Sequence, residues 1–323
     1  MGEEVGGERE IITFIIQEYH EEEFIDKMIK QLNDLAAEGE EIELCFITAS
    51  PARERSCVRK KADFPVKIVG KVWSCGAARN TGAIIASPRS EALFFFDCHI
   101  CFTPEAIESA VETLRRFPNA LLGMPVRVVD FPSCEVKGAT GYGVTFRFTK
   151  HPFEWVWYAP SSDERIFAVP TVCGCAFAMT PQVFRHFYEY GGFLWQHRRL
   201  GWEEEHGFRL WRLQHPVIVD KRAEVGHLFK QSWKGDVASD WQNSRILGIY
   251  LNADRRSCEE ILRICSQKGW DTEKALRWAR EHGRPIRRKL KRYPPLNLKR
   301  FLWIEEAWRW TPPAWWKKLA TSS

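Results

Sequence analysis

Phe94-Phe95-Phe96-Asp97-Cys98-His99 is an apolar run that ends abruptly in an acid and an imidazole two residues apart. The aromatic run reads as a buried strand. In a strand, residues i and i+2 point to the same side, so Asp97 and His99 are expected to face one ion together while Cys98 turns the other way. The place expected for that ion is the carboxyl edge of a sheet, where open α/β folds bind their ligands. The bland alternative is a strand that meets a polar loop. The surrounding chain decides between them.

Upstream, Glu10 to Ile16 (EIITFII) reads as a buried strand, Glu22 to Leu35 has helical periodicity, and Glu41 to Thr48 (EIELCFIT) is strand again. Val66 to Val72 predicts a third strand, Gly76 to Ala86 a helix, and Glu91 to Phe96 the strand that leads into Asp97. This alternation implies an α/β fold with a parallel sheet and helices on both faces. No Gly-x-Gly-x-x-Gly follows the first strand and no Gly-Lys-Ser/Thr loop occurs, which removes a dinucleotide fingerprint and a P-loop.

With 323 residues, 45% of them hydrophobic and 28% charged, the chain can bury a large core, and its 15 Trp make it unusually aromatic. Residues 1–9 read as a disordered leader with no apolar signal region. No apolar run approaches the roughly 18 to 20 residues that cross a bilayer, so the expectation is a cytoplasmic protein. Ten cysteines spread through a chain of this size read as reduced thiols. Cys98, Cys101, Cys173 and Cys175 leave open a four-thiolate zinc site as an alternative.

Several segments together carry a family resemblance. A βαβαβ half that ends in Asp97-x-His99 is similar to the GT-A (Rossmann-like, nucleotide-diphospho-sugar) glycosyltransferases. Most of all it resembles the polypeptide N-acetylgalactosaminyltransferases and their family-2-like relatives. Gly76-Ala-Ala-Arg79-Asn80 resembles their Gly-x-x-x-Ala-Arg-Asn helix start, and Gly174-Cys-Ala-Phe-Ala-Met-Thr-Pro-Gln-Val-Phe184 their Gly-Gly-x-Phe-Ala-Ile segment. Glu224-Val-Gly-His227-Leu-Phe229 is similar to Arg-Val-Gly-His-Val-Phe, in which the His is the third metal ligand. Asn243-Ser-Arg245, running to Asn252, resembles the closing Asn-x-x-Arg helix with one residue less in the spacing.

The resemblance spans residues 10–252 and implies a catalytic domain with a nucleotide-binding half (10–120) and an acceptor half (121–252). It implies a metal-dependent enzyme moving a sugar from a nucleoside diphosphate, such as UDP-GalNAc, UDP-GlcNAc or UDP-Glc, to a hydroxyl on a protein, glycan, lipid or modified DNA base. Asp97, His99 and His227 would hold the divalent ion. One carboxylate with two imidazoles suits Mn²⁺ better than oxygen-loving Mg²⁺. Arg79, at a helix start preceded by small residues, is placed to reach a phosphate. Glu18 follows the first strand in the manner of the family's Asn-Glu, and Thr48 stands near where relatives place an Asp that reads the uracil.

In Gly201-Trp202-Glu203-Glu204-Glu205-His206-Gly-Phe-Arg209, Glu205 matches the second acid of the pattern of inverting relatives, and Glu203 falls on their catalytic base. Trp202 replaces the first acid of that pattern and could wall a sugar ring. Retention follows from the first resemblance and inversion from Glu203, so both stay open. Acids in a first helical turn are also ordinary dipole partners. Two readings of other kinds remain: a transferase acting on modified bases of DNA, and a non-catalytic sugar-nucleotide or glycan-binding module on a degenerate GT-A fold.

Residues 253–323 are expected to form a helical extension, with Ser257-x-x-Glu260 as a capping box, Asp271 as a second cap, and a helix end at Gly283 and Pro285. From Arg280 to Ser323 twelve Lys/Arg face three Asp/Glu, a balance of +9 in a chain whose net charge is +5, so the remainder sums to about −4. Trp303, Trp308, Trp310, Trp315 and Trp316 accompany this charge. The combination suggests a peripheral contact with an anionic membrane or with DNA through residues 280–323. A helical flap packed on the catalytic domain is the alternative.

Overall fold

The computed structural model describes residues 10–19, 21–49, 52–72, 74–148, 151–159, 163–195, 205–229, 238–304 and 310–316. The chain opens with four strands separated by three helices: β1 (Ile11–Glu18), α1 (Ile25–Ala37), β2 (Ile42–Thr48), α2 (Ala52–Lys61), β3 (Val66–Gly70), α3 (Cys75–Ile85) and β4 (Ser90–Asp97). In α1 the buried Ile25, Met28, Ile29, Leu32 and Leu35 recur at helical spacing, the stripe a surface helix turns to the core. Ser74 caps α3 by accepting from the Ala77 amide. Gly82 lets that helix approach β1, where a Cβ would stand 2.4 Å from Ile15.

The middle of the chain supplies short elements: β5 (Ile100–Cys101), α4 (Pro104–Arg116), β6 (Leu121–Gly123), β7 (Val126–Val129), β8 (Val136–Gly141), β9 (Gly143–Arg147), β10 (Glu154–Tyr158), β11 (Ile166–Ala168) and β12 (Ala176–Met179). There follow α5 (Pro181–Glu189), α6 (Glu205–Arg212), β13 (Val217–Asp220), β14 (Val225–His227), α7 (Ala238–Asn252), α8 (Arg255–Gln267) and α9 (Thr272–Lys289). The principal sheet has the order β11-β13-β6-β12-β4-β1-β2-β3. It is mixed, where the sequence predicts a parallel one. β1 to β4 run parallel, but β12 lies antiparallel between β4 and β6. The strict βα alternation stops at β4, and β12 returns from a long excursion through small strands, entering the sheet from the opposite end.

Aromatic pairs seal these junctions. Phe14 stacks on Phe94 across β1 and β4 at 5.2 Å, and Phe95 on Phe177 across β4 and β12 at 4.9 Å. Such pairs add about 0.5–1.5 kcal/mol each beyond the area they bury. A smaller sheet, β5-β14-β7-β8, stands beside the end of β4.

Three expectations for the C-terminal region change. Asp254, not Ser257, caps α8, accepting from the Ser257 amide at 2.6 Å, so Ser257 lies inside the helix. Helix α9 does not stop at Gly283 and Pro285 but runs to Lys289 with Pro285 on its exposed side. Gly283 is needed where α9 crosses α7, since a Cβ there would meet Leu247 at 2.7 Å. The described tail tryptophans turn to the protein: Trp310 and Trp315 lie 6.0 and 5.4 Å from the ring of buried Trp211, Trp316 lies against Phe117, and the Trp303 backbone bonds to Phe146 and Phe148. These rings are engaged with the core, as the flap reading requires. Trp308 lies outside the described residues. Among them, no helix is long and apolar enough to cross a membrane.

The thiol expectation is also corrected. Cys101 and Cys134 form a disulfide, which ties β5 to the turn before β8. That bond removes Cys101 from the four-thiolate zinc alternative. The other eight cysteines are in no disulfide, and Cys173 and Cys175 bring their sulfurs to 3.3 Å.

Candidate active site

Asp97 is the last residue of β4, and its amide donates to the Cys175 carbonyl across the β4–β12 junction. The chain then turns, so His99 arrives by a tight turn into β5 and not by strand alternation. Cys98 packs into the core. His227 ends β14, directly opposite Ile100 of β5. Gly226 makes that approach possible, because a Cβ there would meet Val129 at 2.6 Å and Cys101 at 3.2 Å.

Two sheets therefore meet at three side chains. One ligand atom from each of Asp97, His99 and His227 lies within 4.8 Å of the others. The imidazole rings stand 4.7 Å apart, and His227 Nε2 is 3.5 Å from Asp97 Oδ2. Both histidines are buried, and His99 Nδ1 and both ring nitrogens of His227 have no hydrogen-bond partner. Buried orphaned nitrogens beside a carboxylate are costly unless something coordinates them. The donor set, one oxygen and two nitrogens, matches that need with a divalent ion.

The electrostatics agree. Burial by itself would raise the Asp97 pKa, but the adjoining His227, His99 and Arg79 hold the carboxyl well below its usual range. Burial pushes the His227 pKa down, so its imidazole stays neutral, the form that ligates. Gln17 donates to Asp97 Oδ1 at 3.0 Å. Arg79 is buried; its Nη2 donates to the Gly174 carbonyl at 2.5 Å and sits 3.9 Å from Asp97 Oδ1, with the guanidinium over Phe177. The sequence pairs Arg79 with a phosphate, and the structure places it behind Asp97.

Glu18 and Thr48 meet at the ends of β1 and β2, where the Thr48 hydroxyl donates to Glu18 Oε2. Glu18 Oε1 also accepts from the Glu21 amide at 2.8 Å. Glu21 is the residue the sequence reading missed. Its Oε1 lies 3.3 Å from His99 Nδ1, and its only sequence signal is an acid burst just after β1.

Glu205 heads α6 and is buried. Its Oε2 is 3.1 Å from Arg209 Nη2 and its Oε1 accepts from Asn252 Nδ2 at 2.7 Å. Burial raises its pKa against the pull of Arg209. Gly207, two residues further on, cannot be larger without striking Thr171. Trp202 and Glu203 lie outside the described residues.

Comparison with known proteins points one way. The model of "Glycosyl transferase family 2" matches residues 13–187, more than half of the chain. An uncharacterized glycosyltransferase of Haemophilus influenzae is 25% identical over 111 residues, and the chain spans only 36% of that relative's length. Among solved structures, GalNAc-T7 with UDP, GalNAc and Mn²⁺ superposes at a TM-score of 0.63 and 15% identity, covering 85% of this chain and 55% of that one. The mannosyltransferase PcManGT of Pyrobaculum calidifontis, in complex with GDP-Man and Mn²⁺, gives 0.50 at 15% identity over 86% of this chain and 75% of that one. The structural likenesses establish the GT-A fold. The chain belongs to glycosyl transferase family 2.

Proposed function

We propose that this protein is a glycosyltransferase that moves a hexose from a nucleoside diphosphate sugar, with UDP as the nucleotide, to a hydroxyl acceptor. The observation that carries the reading is the convergence of Asp97, His99 and His227 at the carboxyl end of β4. Structures of the same fold hold UDP or GDP-Man together with Mn²⁺. When bound between these side chains, a divalent ion such as Mn²⁺ would neutralise charge on the leaving diphosphate.

The remaining work falls to this chain's own groups. Glu21 sets a carboxylate oxygen 3.3 Å from His99 Nδ1, a charge that favours the tautomer whose Nε2 keeps its lone pair. Gln17 and Arg79 hold Asp97 in orientation and keep it ionised. Glu18 and Thr48, joined at the ends of β1 and β2, form the edge over which the nucleotide lies. Glu203 is the general base for the acceptor hydroxyl, and Trp202 is a wall for the sugar ring. Glu205, fully enclosed with Arg209 and Asn252, positions the start of α6.

The test is donor hydrolysis over a panel of nucleotide sugars with and without Mn²⁺. Asp97→Asn, His99→Ala and His227→Ala should each remove metal-dependent turnover and leave the circular dichroism spectrum unchanged. Full wild-type rates in EDTA would sink the reading.

A further inference from the structure

Away from that site, the cations of the C-terminal helices converge. Arg212 ends α6, Arg255 opens α8, and Arg284, Arg287, Arg288 and Lys291 come from the end of α9 and the turn after it. Together they line a cleft of about 570 Å³. Arg255 is paired with Glu259 at 2.7 Å. The other five have no carboxylate partner among the described residues.

Arg212 is the informative member. It is buried, with 6% of its surface exposed, and its fork is held by carbonyls only: Leu251, Leu290 at 2.9 Å and Tyr293 at 3.1 Å. Its Nε is buried without an acceptor. Burial and the neighbouring charge of Arg287 push its pKa down to about 10. A buried cation beside a second cation is costly unless an anion completes the arrangement. Arg287 is held at the rim by stacking 4.2 Å over Tyr250. Arg284 and Arg288 also border a second hollow of about 420 Å³, shared with Arg277, Arg280 and Glu281, where Arg277 is paired with Glu273 at 3.9 Å. Cations therefore outnumber carboxylates on the adjoining face of α9 as well.

We propose that this cleft binds a compact anion carrying two or more phosphate groups. The guanidinium fork matches phosphate oxygens in pairs. A concave site with a buried Arg212 suits a compact ligand that can enter it, where a flat bilayer or a duplex would touch only the exposed cations. The ligand could be a free polyphosphate or the headgroup of a phosphoinositide lipid, and the experiment separates these sources.

Isothermal titration of the full chain in EDTA, which keeps the candidate metal site out of play, would use tripolyphosphate and inositol hexakisphosphate. One-to-one binding is expected, weakened at least about tenfold in Arg284→Gln/Arg288→Gln, since each lost charged hydrogen bond costs on the order of tenfold. Both residues are exposed, so this variant should melt like the wild type. Co-sedimentation with phosphatidylcholine vesicles containing phosphatidylinositol bisphosphate, competed by inositol hexakisphosphate, would assign the lipid source; absence of vesicle binding would assign the free anion. The proposal falls if the double variant binds as tightly as wild type, or if neither probe binds at about 1 mM. It also falls if duplex DNA at equal phosphate concentration binds more tightly than the compact probes, which would make the patch a nucleic-acid contact.

Discussion

Glu205→Ala should destabilise the protein before it touches the chemistry. Arg209 is fully buried, donates to the carbonyls of Tyr190 at 3.2 Å and Gly192, and stacks over Phe187 at 4.4 Å; its one opposite charge among these contacts is Glu205. Removing one partner of a buried pair leaves an uncompensated charge and costs about 3–5 kcal/mol. With an unfolding entropy of ~2.1 cal/mol/K per residue, a 323-residue chain loses roughly 4–7 °C of Tm for that change. Differential scanning fluorimetry reads the shift, and a turnover assay on the same sample reads the chemistry. Glu205→Gln with Arg209→Met should recover most of the loss, because replacing both partners of a buried pair is often near neutral. Glu203→Gln is the contrast, expected to depress transfer by about 10² or more, with Tm unchanged. A Glu205→Ala protein that melts normally yet transfers no sugar would refute the reasoning and make Glu205 a chemical group.

Gly226→Ala should loosen the candidate metal site without altering any ligand, since the new Cβ strikes Val129 and pushes β14 from its neighbours; Mn²⁺ titration monitored by electron paramagnetic resonance should show at least about tenfold weaker binding, as for loss of an orienting group. Reduction of Cys101–Cys134 opens a link across 33 residues, worth about 3–4 kcal/mol by chain entropy, so melts with and without reductant should differ by several degrees. Stability should also fall with acid in a defined window. With its imidazole neutral, His215 donates Nδ1–H to the Asn119 carbonyl and accepts at Nε2 from His186 Nδ1, whose Nε2 then accepts from the Tyr293 hydroxyl. Burial pushes the His215 pKa down from 6.5 to about 4. A lowered folded-state pKa means the stabilisation is complete above pH 6.5 and is lost progressively as pH falls towards about 4, up to about 3 kcal/mol. His215→Gln should flatten that part of the stability profile in urea titrations.

The first half of the fold was legible because local chemistry and tertiary demand coincide there. IITFII, EIELCFIT and FFFD are buried on both faces, so each reads as a strand without knowledge of its neighbours. The second half was not, because β6, β11, β13 and β14 are three or four residues long and owe their existence to partners far away in sequence. The antiparallel entry of β12 has no local signal at all. The same holds for α9, whose continuation past Pro285 depends on its contact with α7 at Gly283 and not on its own composition.

At the candidate site, Asp97 and His99 were legible as neighbours in sequence, but for a reason the structure replaces: a turn, not a strand period, brings them together. His227 was legible only through Val-Gly-His, and the structure supplies the cause, since a side chain at Gly226 would separate β14 from Cys101 and Val129. Glu21 was not legible, because one acid in the run Glu21-Glu22-Glu23 is distinguished only by where the turn after β1 aims it. The site draws Asp97 from the principal sheet and His99 and His227 from the small one. An ion held between them would therefore fasten the two sheets, and any substitution that shifts β5 or β14 acts on the metal without touching a ligand. The Cys101–Cys134 link and Gly226 both sit on those two strands, so the residues that set the geometry of this site are mostly ones that never contact it.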